Sequence, residues 1–200
     1  MSDLSTLEGV RFHTLRNALY HTARRQVLER RNRFFNLLVI LLGTAAAADA
    51  AELTGVDGAD VWLGIATAAV GSVQLVFDWG GRARTHQGLQ KEYYQILAQA
   101  EAIDGADTAA IKSLAGDLTK IYADEPPTVQ VADAEAHNAA CQTMGGGYGD
   151  LIKISIFMRV IGFLFPSTPF EWKTYEEVER DARRRWHRRL LRRWYRSLFK

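Results

Sequence analysis

A single cysteine, Cys141, stands in 200 residues, so no intrachain disulfide can form and nothing calls for an oxidising compartment. Alternating β-branched runs bounded by turn residues are missing, which removes the ordinary signal for sheet. No internal repeat recurs at a solenoid period. Several enzyme motifs are missing too: a phosphate-binding glycine loop followed by Lys-Ser or Lys-Thr, a nucleophile elbow, and a His-Glu-x-x-His pair. The chain is therefore read as a non-enzyme that needs no cofactor. The most telling absence is one of charge: between Arg33 and Arg82 there is no lysine or arginine.

Two apolar stretches fill that gap, 34–53 (FFNLLVILLGTAAAADAAEL) and 61–79 (VWLGIATAAVGSVQLVFDW). Each is about 20 residues, and at ~1.5 Å per residue each just crosses a ~30 Å hydrocarbon core. The connector between them is short enough for a tight turn only. Arg24, Arg25, Arg30, Arg31 and Arg33 crowd the entrance to the first stretch, and Arg82 and Arg84 follow the second. The turn carries the acids Asp57 and Asp60, with Glu52 just before it. Basic outer flanks around an acidic turn are the positive-inside arrangement. They predict a two-span membrane hairpin with both termini cytoplasmic. The competing expectation is a pair of buried helices in a soluble α protein, for which Asp49 and Glu52 speak. A mean hydropathy slightly below zero averages two apolar spans with a long polar remainder. The net charge of +2 likewise hides basic ends and an acidic middle. The first stretch is longer than a signal-peptide core, and is expected to serve as an uncleaved insertion signal.

Helical periodicity continues outside the spans. Phe12, Leu15 and Leu19 mark an amphipathic helix leading into the first span. Leu89, Tyr93, Ile96, Leu97, Ala100 and Ile103 extend the second to about Ala102, interrupted only by Gly80-Gly81. A helix over 108–122 follows, with Ile111, Leu114, Leu118 and Ile121 on its apolar face. Asp124-Glu125-Pro126-Pro127 breaks it, and a shorter helix over 132–144 leads to Gly145-Gly146-Gly147. The run Gly147-Tyr148-Gly149-Asp150 has a superficial likeness to a potassium-channel filter but lacks a pore helix ahead of it, and is read as a flexible hinge. The apolar segment 151–165 is short for a span and is interrupted by Lys153 and Arg159, which predicts an interfacial or buried helix. The expected organisation is a hairpin with cytoplasmic extensions over 1–103, a cytoplasmic helical region over 104–150, and a basic amphipathic part over 151–200.

Within the second span, Thr67, Gly71, Gln74 and Asp78 fall on one stripe at ~100° per residue, and Ile65, Ala69, Val73 and Val76 lie on the other side. Polar groups in a span are costly and face a bundle interior or water. Two readings stay open: helix–helix packing in which Gln74 bonds a neighbour, or a water-lined seam in an oligomeric pore. Both favour a homo-oligomer, because a lone hairpin is not expected to satisfy the stripe. Asp49 and Glu52 either mark the outer end of the first span or form an acidic ring that favours cations.

Leu19-Tyr20-His21 with Arg24-Arg25, the basic run into a span containing Gly43, the stretch from Gly71 to Phe77, and Ala83-x-x-His86-x-x-Leu89-x-x-x-Tyr93 together resemble the SLATT domain. Ile121-Tyr122-Ala123-Asp124-Glu125-Pro126-Pro127, followed by His137-Asn138, is similar to the cytoplasmic part of stand-alone members of that family. The resemblance covers about residues 10 to 143. It implies a two-span bacterial membrane effector of conflict and phage-defence systems, which forms pores or disrupts the membrane when a partner senses infection. No fused nucleotide-sensing domain is visible, so the sensor is expected to be a separate protein.

The resemblance singles out His21 and His86. Counted from the membrane boundary they lie about 13 and about 7 residues out, which predicts different levels and no shared metal. Hydrogen bonds across the helix pair are the expected role, with a pH or ligand switch as the alternative. His137 and Cys141 have a metal-like i,i+4 spacing, but no second pair accompanies them. At the C-terminus, Trp186, Leu190, Trp194 and Leu198 recur every four residues. Arg183, Arg184, Arg188, Arg189, Arg192 and Arg193 stand opposite. Such a helix suits the anionic lipids of a cytoplasmic leaflet; nucleic-acid binding and a plain inter-subunit helix are the rivals. The whole reads as an all-α membrane protein, either an oligomeric effector or a non-conducting anchor that recruits a cytoplasmic partner.

Overall fold

Helices account for nearly all the regular structure in a computed structural model of the chain, which describes residues 4–48, 55, 58–105, 107–164, 171–184 and 186. Helix α1, Leu7–Ala47, runs 41 residues unbroken, as its sequence without proline allows. Thr6 caps it, its Oγ1 accepting from Gly9 N at 3.1 Å. Helix α2 is Ala59–Phe77 and α3 is Trp79–Ala102. Then come α4 (Thr108–Ala123), α5 (Gln130–Thr143), a 3₁₀ turn (Tyr148–Asp150), α6 (Ile156–Leu164) and α7 over 175–184. The one β feature among the described residues is an isolated antiparallel bridge between Ile152 and Thr174. The chain divides into two compact units, 21–91 and 1–20 with 92–200.

In the unit over 21–91, the half-covered positions of α2 are Ala59, Leu63, Ala66, Thr67, Val70, Gly71 and Gln74; no α2 residue is fully buried. Their spacing of three and four residues is one face of a helix. On α1, Phe35, Leu38, Val39, Leu42, Gly43 and Ala46 repeat the pattern. The Phe35 and Trp79 rings stack at 4.3 Å, and Trp79 packs with Leu28 and Ala83 in a small buried cluster. Ala59–Ala102 is a helical stretch long and apolar enough to cross a membrane, and none of its apolar window is buried. Of the expected first span, α1 contains 34–47; residues 49–53 lie outside the described part.

In the other unit, α4 is built as its sequence predicts. Asp107 caps it, its Oδ1 accepting from Ala110 N at 2.9 Å, and Ile111, Leu114, Leu118 and Ile121 are buried. On α1 the buried line is Val10, Thr14 and Ala18, while the expected Phe12, Leu15 and Leu19 are only half-covered. Small residues allow the closest approach there, and Thr14 satisfies its hydroxyl on Val10 O at 2.7 Å. Arg11 caps the carbonyl end of α3 through Ala100 O at 3.0 Å. The glycine run Gly145-Gly146-Gly147 is a helix stop: Gly146 N donates to Cys141 O and Gly145 N to Gln142 O, with Gly145 at φ 79°. That pair of bonds is a Schellman motif, which favours glycine at the left-handed position. Asn138 then grips Ile152 with two bonds, Nδ2 to Ile152 O (2.8 Å) and Ile152 N to Oδ1 (2.7 Å). Thr174 opens α7 with a capping box to Glu177.

Candidate functional site

The polar stripe of α2 is the seam of the hairpin. Gln74 Nε2 donates to Asn36 Oδ1 on α1. Thr67 donates to its own helix at Leu63 O, 2.7 Å, and its methyl lies 4.0 Å from where a Cβ on Gly43 would sit. A Cβ at Gly71 would meet nothing within 4 Å. Asn36 thus supplies a partner for Gln74 within one hairpin. Ile65, Ala69, Val73 and Val76 are all exposed on the far side.

Asp78 leaves the stripe's company. It sits between α2 and α3 at φ 36°, a left-handed conformation, and its Oδ1 accepts from Gly81 N at 2.9 Å. It is the cap of α3. A Cβ on Gly81 would collide with the Asp78 carboxylate. The interruption expected at Gly80-Gly81 therefore falls at Asp78, and Gly81 makes room for its side chain.

His21 and His86 are both buried, and their Nδ1 atoms lie 2.7 Å apart. The expectation that they occupy different levels is overturned. It treated Phe34 and Trp79 as level markers, whereas Asn36 pairs with Gln74 and Asn32 lies beside Gly80. That register brings the histidines together across the helix pair. One Nδ1 carries a hydrogen and donates; the other accepts.

Away from the seam, α1 and α4–α5 enclose a polar cleft of about 190 Å³ lined by residues including His13, Arg16, Asn17, Tyr122 and Asp133. Arg16 pairs with Asp133, and the Tyr93 hydroxyl bonds Glu125. Burial, then the Glu125 hydrogen bond and charge, push the Tyr93 phenol far above its ordinary range. Burial likewise raises Tyr122, partly offset by a hydrogen bond to Asn17. Tyr20 Oη accepts from Val129 N at 3.0 Å, fixing the start of α5. Tyr122 and Glu125 of the segment from Ile121 to Pro127 thus line this cleft. His137 Nε2 is 3.4 Å from Cys141 Sγ; burial lowers the pKa of the former and raises that of the latter. No group of three metal-ligating side chains occurs among the described residues.

Arg183, Arg184 and Trp186 are exposed, Arg183 lying 3.8 Å from Glu179. Asp49, Glu52, Arg188, Arg189, Arg192, Arg193 and Trp194 lie outside the described residues. Sequence reasoning missed Asn36, Asn17, Arg16, Asp133 and Asn138. For Asn36 a signal existed, an amide inside an otherwise apolar run. Compared with protein-family models, curated proteins and solved structures, the chain matches none.

Proposed function

We propose that the chain is a bacterial inner-membrane effector of the SLATT type. Segments 34–53 and 61–79 cross the bilayer as a hairpin with both termini cytoplasmic, and several copies assemble. The assembly opens or disrupts the membrane when a separate sensor signals. The observation that carries this is α2, an apolar helix of 19 residues without one buried side chain. Lipid and neighbouring copies are what such a surface fits. Trp62, near the start of α2, is exposed where an interfacial aromatic belt would lie. The Asn36–Gln74 bond belongs to a closed resting state, and conduction requires these groups to leave the seam and face water. The arginine-rich C-terminal segment holds anionic lipid of the same leaflet.

The same bond favours a second reading, a non-conducting anchor whose helical platform recruits a cytoplasmic partner, since a seam satisfied within one chain needs no lumen. Induced expression should depolarise cells, and Gln74→Leu with Thr67→Val should weaken the effect. Undiminished depolarisation in that variant removes the stripe from the mechanism. Purified oligomer in liposomes that passes no ions under any trigger leaves the anchor.

A further inference from the structure

We infer that α6 is a lipid-contacting surface, a short helix that lays its outer face into the interfacial region of a bilayer. This rests on the membrane reading above and adds a contact that neither the hairpin nor the arginine-rich segment supplies. Ile156, Phe157 and Val160 are 79%, 71% and 54% exposed. At ~100° per residue they occupy about one quadrant of the helix, opposite Gly162, which is buried. At 150–250 Å² for the aromatic ring and somewhat less for the aliphatic chains, together they present on the order of 400 Å² of apolar surface. That is the size of patch that marks an interaction site on a soluble surface.

The helix is held outward by its mounting. Its inner side packs on α5, Arg159 pairs with Glu135 at 3.0 Å, and Ser155 caps it through Met158 N at 3.2 Å. Asn138 fixes the strand-like approach at Ile152. Apolar side chains displayed on a fixed base do not turn inward to hide themselves. Lipid suits the patch better than a second copy of the chain. A stable protein interface needs about 800 Å² per partner, roughly twice what α6 shows, whereas interfacial insertion has no such threshold. Lys153 and Arg159 lie at the approach and edge of the apolar face, where cations meet anionic headgroups.

The test uses the full chain with Cys141→Ala, reconstituted in phosphatidylethanolamine–phosphatidylglycerol vesicles. Nitroxide labels are placed singly at Phe157→Cys, Val160→Cys, Val76→Cys and Thr119→Cys. Collision with oxygen, which concentrates in lipid, is compared with a water-soluble nickel chelate. Labels at 157 and 160 should shift toward oxygen relative to 119, and Phe157→Asp should return the label at 160 to nickel. Nickel preference at 157 and 160 while 76 prefers oxygen overturns the lipid contact and leaves the membrane reading standing. Nickel preference at 76 overturns the membrane reading itself. Labels at 157 and 160 shielded from both reagents show a protein covering α6, which also overturns the inference.

Discussion

Two nitrogens 2.7 Å apart inside a protein admit a single hydrogen between them, so one of His21 and His86 donates at Nδ1 and the other accepts. Removing one partner strands a buried polar atom, at a cost of about 1–3 kcal/mol, whereas removing both with ring-shaped replacements relieves it. His21→Phe and His86→Phe should each lower the unfolding midpoint in detergent micelles. The double variant should lie well above the sum of the two losses, and strictly additive losses would sink the pairing. His137 offers a pH handle. Burial lowers its pKa below the ordinary 6.5, so the unfolded chain takes up the proton first. Its contribution is complete above about 6.5 and lost as pH falls through the folded value. Denaturation at pH 7.5 and pH 5 should show a smaller acid loss for His137→Gln than for the parent; equal losses refute it. At this scale the sequence identified His21, His86 and Gln74 as polar groups in need of partners. It did not identify the partners, because pairing depends on the register between helices far apart in the chain, and Asn36 meets Gln74 only once that register is set.

Elements were more legible than their junctions. The apolar face of α4 follows from spacing alone, and its start from Asp107. The α2–α3 junction does not, because Gly80-Gly81 looks like the weak point while the backbone turns at Asp78. Propensity favours alanine over glycine in a helix by up to about 1 kcal/mol, yet the Asp78 carboxylate fills the space a Cβ would need. Gly81→Ala should therefore destabilise the parent but stabilise a chain already carrying Asp78→Ala. Melting of the four proteins in micelles reads this directly, and the same sign in both backgrounds would refute the account. Gly145→Ala should cost about 1 kcal/mol by straining the left-handed stop of α5, measurable in the same way.

For the whole molecule, the missing cations between Arg33 and Arg82 are the signal from which the proposed membrane hairpin is read, while the division into units 21–91 and 1–20 with 92–200 leaves no such mark in the sequence. That division cuts through α1 and α3, and nothing in their periodicity marks it. Between residues 21 and 91 the two strands of the hairpin differ in kind. The outgoing one is part of an uninterrupted helix, while the returning one is articulated at Asp78. In mechanical terms this is a stiff strut fastened beside a jointed one. The histidine pair and the Asn36–Gln74 bond fasten the two together on either side of the Asp78 kink.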